Sequence, residues 1–516
     1  MSKLLTAAEM AEMDRRTSEE FGLPTMVLME NAGAAVEALL WREFPHLMEL
    51  RVLVLAGPGN NGGDGMVVAR RLQQRGVRVS VLLLGHLLLL KGDAALHAGA
   101  CVKMGGTVVE INDATALNRE SRRLAQADVV VDAVFGTGLS RPVSGVIARL
   151  FDRLSALAKP TVAVDLPSGI SSDSGKVLGS ALRAQWTVAL GAEKVGHRMW
   201  PGAGYCGRIE VANIGVPRHL IHQQSHRVER NIPESIAVPL RPADGHKGTF
   251  GHLLILAGSV GKTGAAVLTA QGALRAGAGL VTVAMPAPAQ AQAAAQLTEA
   301  MSLPLPADEQ GRLHEDALVT LSSLPFRPTA LAIGPGLGVS AATWPVIRGL
   351  LLQLDLPAVL DADALNALAA QDHGWEQVQR TAPVLITPHP GEAARLLRAP
   401  VGELQEDRLV TAQRVATERR VWMALKGAGT VIADPDGRLW INETGNSGLA
   451  AGGSGDLLTG LVGGLLAQGW SPTSALRAAV WIHGAAGDDA AADIGMAGLL
   501  ASDLSPYLNR RRNQLV

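Results

Sequence analysis

Several polar side chains of this sequence sit inside glycine-rich stretches that directly follow apolar runs. The first stretch is Gly57-Pro58-Gly59-Asn60-Asn61-Gly62-Gly63-Asp64-Gly65. Gly57, Gly59 and Gly62 satisfy a G-x-G-x-x-G spacing, and exposed amides leading into a helix suit a phosphate. A nicotinamide dehydrogenase would also need an acidic residue about 20 positions on, at the end of the second strand. That strand ends Leu82-Leu83-Leu84-Gly85, without a carboxylate. A ligand-free glycine turn is the plain alternative, but Asn60, Asn61 and Asp64 are more than a turn requires.

Asp132-Ala133-Val134-Phe135-Gly136-Thr137-Gly138-Leu139 and Asp165-Leu166-Pro167-Ser168-Gly169 end two more apolar runs. In parallel sheets, ligand sites form beyond the carboxyl ends of strands. Asn61, Asp132 and Ser168 could meet there as hard oxygen ligands for a cation. The set is too weakly charged for a tight divalent site. Asp165 is left to work as general acid or base.

In the second half, Gly258-Ser259-Val260-Gly261-Lys262-Thr263 invites a P-loop reading, but the Walker pattern needs glycine where Leu256 stands. Gly334-Pro335-Gly336-Leu337-Gly338, Asp361-Ala362-Asp363-Ala364-Leu365-Asn366 and Thr387-Pro388-His389-Pro390-Gly391-Glu392 each follow a buried apolar run. Lys426-Gly427-Ala428-Gly429-Thr430 turns between two strands, and Gly452-Gly453-Ser454-Gly455-Asp456 opens a long apolar helix expected over 456–468. Successive glycine amides at a helix start make an anion hole. An aspartate there can take the proton of a hydroxyl that attacks phosphorus. Alone, the 452–456 stretch reads equally well as a helix cap, and Asp361 or Asp363 as turn formers. Together, these loops point to phosphoryl-transfer chemistry without a Walker lysine.

Such loops need a frame. Strand-like runs at 51–56, 77–84, 129–134 and 161–165 alternate with helix-like segments such as 65–75. This predicts parallel strands covered by helices. The pattern fades over 216–244, a polar stretch broken by Pro217 and Pro233. A second series follows, with strands at 252–257, 280–284, 331–333, 358–360, 384–386, 421–425 and 430–433. The expectation is an α/β protein of two tandem three-layer domains, 1–225 and 226–516. Their glycine spacings differ, so they are not repeats. His219, His222 and His226 in the connector are spaced as three metal ligands on one helical face could be. No carboxylate or cysteine completes the set, and a solvated connector is the plainer reading.

Composition narrows the function. Charged residues are 18% of the chain and the formal net charge is −1, which excludes a nucleic-acid binder working by bulk phosphate attraction. Cys101 and Cys206 cannot build a disulfide framework or a four-ligand zinc site, and they suit a reducing cytoplasm. The start runs into Glu9, Glu12 and Asp14 with no apolar signal region. The most apolar stretch, 79–90, falls short of the roughly 20 residues of a membrane helix. A cytoplasmic protein without a membrane span is expected.

Met29-Glu30-Asn31-Ala32-Gly33 and the 57–65, 132–139 and 165–169 loops, in this order, resemble the NAD(P)H-hydrate epimerase family over about residues 1–215. The resemblance implies a Rossmann-like fold. It implies that Asn60, Asn61, Gly62, Gly63 and Asp64 bind the hydrated dinucleotide, together with Gly136, Thr137, Gly138, Leu139, Ser140, Arg141 and Pro142. It makes Asn61, Asp132 and Ser168 potassium ligands and Asp165 the catalytic residue beside the reacting ring. Lys194 is then a second catalytic group or else a structural or solvated lysine. The tyrosine usual after the loop glycine is Met66 here, so that hydroxyl is missing.

From about residue 235 to 516 the loops resemble the ribokinase-like superfamily, and within it the ADP-dependent NAD(P)H-hydrate dehydratases. His389 stands where ribokinase-like kinases usually begin Asn-x-x-Glu, which favours the dehydratase. By resemblance, Lys426, Gly427, Ala428, Gly429, Thr430 and Gly455 hold the adenine nucleotide. Ala265, Gly336, His389 and Asp456 face the hydrated nicotinamide, with Asp456 as base and magnesium accompanying ADP. The implied activity is repair of hydrated NADH and NADPH. The R and S hydrates are interconverted, and the S hydrate is dehydrated with ADP, releasing AMP and phosphate. The alternatives are a ribokinase-like vitamin-precursor kinase with an accessory domain, and a binding protein with a silent first domain. Asp165 and the near-zero net charge weigh against the latter. The implied partners are the hydrates and ADP, in a homo-oligomer, with neither nucleic acid nor membrane.

Overall fold

The computed structural model describes residues 2–224, 227–378 and 380–515. The chain divides into two compact units, Lys3–Val228 and Glu229–Val516, with Ser2 belonging to the second. The boundary expected between Ser225 and His226, and the last histidine of the connector trio, lie outside the described residues. His219 packs its ring 5.4 Å from that of Phe21.

The first unit is one sheet of seven strands: β1 (Arg51–Ala56), β2 (Arg78–Leu83), β3 (Thr107–Glu110), β4 (Val129–Ala133), β5 (Thr161–Val164), β6 (Trp186–Leu190) and β7 (Arg208–Ala212). Their order is β3-β2-β1-β4-β5-β6-β7, and every pairing is parallel. Valine and leucine runs such as Val52–Ala56 are buried on both faces because helices cover both. One apolar cluster around Val54, Val68 and Leu39 fills one face. Another around Leu53, Val130 and Phe151 fills the other. The order reverses between β1 and β4, which opens a crevice at their carboxyl ends.

The helix after β1 spans Asn60–Gln74, so it begins five residues earlier than the expected 65. Glycine and asparagine are poor helix formers, but here close packing decides. A Cβ on Gly62 would lie 1.8 Å from the Gly57 carbonyl oxygen, and one on Gly65 2.6 Å from Ala133 Cβ. Only Gly57, Pro58 and Gly59 form the turn.

The chain enters the second unit through β8 (Val228–Arg230). Nine more strands follow: β9 (His252–Leu256), β10 (Leu280–Pro286), β11 (Met301–Leu305), β12 (Ala330–Ile333), β13 (Ala358–Leu360), β14 (Val384–Ile386), β15 (Trp422–Leu425), β16 (Thr430–Ala433) and β17 (Leu439–Asn442). The order is β11-β10-β9-β12-β13-β14-β15-β16-β17-β8. Pairing is parallel from β11 to β15 and antiparallel across β15, β16 and β17. The order again reverses, between β9 and β12. Helices Thr263–Ala276 and Ser454–Ala467 pack closely through glycine: a Cβ on Gly460 would stand 2.0 Å from the Thr269 carbonyl oxygen. Among the described residues no helix is long and apolar enough to cross a membrane. Cys101 and Cys206 are buried free thiols.

Candidate active sites

In the first unit the loops after β1, β4, β5 and β6 meet at the switch point. The helix Asn60–Gln74 has Gly59 as its cap residue and no side-chain capping bond, so its first-turn amides remain open to an anion. Asp132, at the end of β4, is fully buried. Its Oδ1 accepts from Ser168 Oγ (2.6 Å) and its Oδ2 from the Ser168 backbone N–H (2.7 Å). Burial pushes the Asp132 carboxyl up to about 6, against the bonds from Ser168. Asn61 lies against Gly136, where a Cβ would stand 3.2 Å from Asn61 Oδ1. Its Nδ2 is buried without a partner. Gly136–Pro142 runs partly exposed at the crevice rim.

Asp165 follows β5 directly and takes φ +65°, a left-handed value uncommon among non-glycine residues but tolerated by aspartate. Its side chain is held as well. Leu190 N–H donates to Asp165 Oδ1 (3.0 Å), and the Lys194 ammonium is ion-paired to the same oxygen. Lys194 is wholly buried, which removes the solvated alternative. Its Nζ also donates to the Leu190 carbonyl (2.8 Å). His197 closes the network. Its Nδ1 accepts from Lys194 N–H (2.9 Å), so Nε2 carries the proton toward the Asp165 carbonyl oxygen (2.7 Å). Burial, then Lys194, lowers His197 to about 4, in keeping with a neutral ring.

Two further carboxyls belong to this cluster. Burial, then Asp165 and Asp14, raises Asp64 well above the usual carboxylate value. Burial raises Asp14 to about 6, with Lys194 opposing, and Asp14 Oδ1 has no hydrogen-bond partner. Sequence reasoning missed Asp14 and His197 as site residues. Asp14 had a signal: it shares the i, i+3, i+4, i+7 stripe of Met10, Met13 and Thr17, an apolar-face position. Met66, in place of the usual tyrosine, is buried in the core.

The second site gathers beyond β9, β12, β13, β14 and β15. Gly336 has φ +62°. A Cβ there would meet Ala265 Cβ at 2.8 Å, so these two expected substrate contacts are neighbours. Asp363 is held by Gly338 N–H (2.8 Å) and Lys262 Nζ (3.3 Å). Asp361 is buried and accepts from Lys426 Nζ (2.9 and 3.2 Å) and Thr459 Oγ1 (2.7 Å). Lys426 therefore has its ammonium on Asp361, with Glu392 3.9 Å away. Burial opposes its charge, yet the two acids hold Lys426 above the ordinary lysine value. A Cβ on Gly455 would lie 3.3 Å from Lys426 Nζ. The 426–430 turn is held from below by Arg408, which donates to the carbonyls of Ala428 (2.6 Å) and Leu425 (2.9 Å).

His389 caps its own helix, Pro390–Leu397: Nδ1 accepts from Gly391 N–H (3.0 Å), and His389 N–H donates to Glu392 (2.8 Å). Its ring remains half exposed. The helix at Asp456 begins at Ser454, with Gly453 (φ +90°) as cap residue and no side-chain capping bond. Asp456 is therefore the third helical residue and not a cap, which corrects the capping alternative. Its carboxylate has no hydrogen bond among the described residues. Burial, then Asp361, raises it to about 6. Ser454 Oγ lies 3.2 Å from Nε2 of the buried His483. Neither Arg408 nor His483 carried a sequence signal, because each acts across a long sequence separation.

Fold and sites define an α/β enzyme of two units, each with its chemistry beyond its strand ends. Residues 25–196 match the family model described as YjeF-related protein N-terminus, and residues 253–510 that of NAD(P)H-hydrate dehydratase. A bifunctional NAD(P)H-hydrate repair enzyme of Moorella thermoacetica is 44% identical over 98% of this chain and 96% of that one. Counterparts from Thermofilum pendens and Escherichia coli are 37% and 36% identical, covering 98% and 96% of this chain and 95% and 91% of theirs. Among solved structures, the ADP/ATP-dependent NAD(P)H-hydrate dehydratase from Bacillus subtilis, co-crystallized with ATP/Mg2+, is 35% identical, with 56% of this chain and 98% of that one covered and a TM-score of 0.49. The chain belongs to the family of bifunctional NAD(P)H-hydrate repair enzymes. The vitamin-kinase and silent-domain alternatives are set aside, since full-length relatives carry both halves in the same order.

Proposed function

We propose that Lys3–Val228 interconverts the R and S hydrates of NADH and NADPH, and that Glu229–Val516 dehydrates the S hydrate at the expense of ADP. In the first unit the Asn60–Asp64 stretch, with the amides of Asn60, Asn61 and Gly62 open, and the Gly136–Pro142 rim bind the dinucleotide phosphates and ribose. Asp165 accepts the C6 hydroxyl proton. The C6–N1 bond then opens and recloses on the other face, and the proton returns. Lys194 holds the Asp165 carboxylate in place and balances its charge.

In the second unit Asp456 takes the C6 hydroxyl proton. The hydroxyl oxygen attacks the terminal phosphorus of ADP and AMP leaves. The C6–O bond then breaks, phosphate departs, C5 gives up a proton, and the C5=C6 double bond is restored. The observation that carries this reading is the Asp456 carboxylate: unbonded, raised to about 6 and seated in an uncapped helix start beside Lys426 and Gly455. A base poised near neutral pH and free of other bonds suits proton abstraction.

The donors fit the two metals of this reading. Asn61, Asp132 and Ser168 offer one carboxylate and two neutral side-chain oxygens, a donor set that fits a weakly charged cation such as potassium, which would organise the loops around them. Among the described residues no group of three or more His, Cys, Asp and Glu could hold a metal. Magnesium would enter with the diphosphate, with Asp361 and Glu392 beside Lys426 as the acids that would hold it, and it would neutralise charge on the transferred phosphoryl group. Two buried free thiols suit a reducing cytoplasm. The test is to supply pure protein with hydrated NADH and ADP. Return of reduced-nicotinamide absorbance with equimolar AMP and phosphate is expected. A stable phosphorylated hydrate would instead make the second unit a kinase.

A further inference from the structure

At the amino ends of β1, β2 and β3, the pole opposite the candidate site of the first unit, lies a cleft of about 570 Å3. That volume falls within the range of small-molecule sites, roughly 300–1,000 Å3. Between the arginines it is lined by Val52, Leu53, Val79, Ser80 and Thr107. Its rim carries Arg51, Arg78, Arg119, Arg122 and Arg123, with Glu120 the one carboxylate among the lining residues. Glu120 is already bonded to Arg123 Nε (2.6 Å). Arg78 donates to the Glu49 carbonyl. Asp128, just outside, accepts from the Arg51 backbone N–H (2.8 Å). Among the described residues, no partner accepts from the guanidinium groups of Arg51, Arg119 or Arg122.

A rim of five guanidinium groups against one carboxylate, on a chain of net charge −1, is an uncompensated concentration of positive charge. Three of its forks are free for bidentate bonds to phosphate. We infer that this cleft binds a small polyphosphate anion of the nucleoside di- or triphosphate class, at the opposite pole of the first unit from its candidate centre. The amino-end location keeps the ligand away from Asp165, so it is not the substrate of the first unit and acts there as an effector or reservoir.

The test uses the full chain and modification of arginine by phenylglyoxal, mapped by peptide mass spectrometry. ADP and inorganic tripolyphosphate are added separately. Selective protection of Arg119 and Arg122 is expected, and the more effective compound identifies nucleotide or free polyphosphate as the source. Equal protection by sodium sulfate at matched ionic strength would reduce the effect to screening and overturn the site. Stronger protection by a single-stranded oligonucleotide would overturn the small-anion assignment. Arg119→Gln with Arg122→Gln should weaken tripolyphosphate binding by about tenfold or more, with thermal stability and both basal activities unchanged. Unchanged affinity in that variant would remove the proposal.

Discussion

Asp165 and Asp456 are both aspartates at the carboxyl end of a parallel sheet, yet the fold treats them oppositely. Asp165 is locked: a left-handed backbone, a backbone N–H on its carboxylate and a buried lysine fix its position. Asp456 makes no such bonds, and burial, then Asp361, raises its carboxyl to about 6. The first setting suits a group that must pass one proton back and forth within a closed site. The second suits a base that must accept a proton while phosphate charge is handled by others. Lysine takes opposite roles to match. Lys194 pairs with Asp165 itself, whereas Lys426 pairs with Asp361 and reaches Asp456 only through space.

The sharpest way to break the contrast is Asp456→Asn. It removes the base without removing a cap, since no capping bond exists there. ADP-dependent repair should fall about 10²- to 10⁴-fold, while epimerisation of the same sample persists. Next is Lys194→Met, which leaves Asp165 buried without its cation. Breaking a buried pair from one side costs about 3–5 kcal/mol, so hydrogen exchange at Leu190 and the rest of β6 should accelerate and epimerisation should fail, with dehydration retained. A pH profile probes the other carboxylate. Asp456 must be ionised to act, so saturated dehydration should climb about tenfold per pH unit below about 6 and level off above it. Asp456→Asn should flatten that limb. Asp14 gives a smaller effect of opposite character. Its folded value of about 6 exceeds the unfolded value near 3.9. Its contribution to stability is therefore fully present below about 3.9 and lost as pH rises through 6. Asp14→Asn should stabilise the protein by about 1–2 kcal/mol at pH 8 and hardly at pH 4, measured by urea unfolding. Smallest of all, exchanging potassium for a large organic cation should slow epimerisation severalfold and leave dehydration with magnesium untouched.

The contrast was half legible in the sequence. Strands such as Arg51–Ala56 and His252–Leu256 announce themselves because parallel strands buried on both faces are continuous apolar runs. The strands Thr107–Glu110, Arg208–Ala212 and Met301–Leu305, at sheet edges with half-exposed residues, carry no such run, and the interior strands Trp186–Leu190 and Leu439–Asn442, short and each carrying a polar residue, are also not among the expected strands. The expected Asp132 and Ser168 do meet by hydrogen bonds, and Ala265 does lie against Gly336. The helix start at Asn60 was misread because local propensity opposes it, and only the approach of Gly62 to Gly57 and of Gly65 to Ala133 explains it. Asp14, His197, Arg408 and His483 could not be assigned roles from spacing. His197, Arg408 and His483 reach Asp165, Ala428 and Ser454 only in the folded chain, and Asp14, a single polar residue in an apolar stripe, does not reveal what it faces.

The central claim is that two separate centres work in series, and a mixture of R and S hydrated NADH with excess ADP tests it directly. The wild-type protein should convert the whole mixture to NADH. Asp165→Asn should convert the S fraction at the wild-type rate and then stall, with R hydrate left over, and adding Asp456→Asn protein should release the stall by supplying epimerisation. Complete conversion by Asp165→Asn alone at the wild-type rate, or a stall that Asp456→Asn protein cannot relieve, would contradict the account.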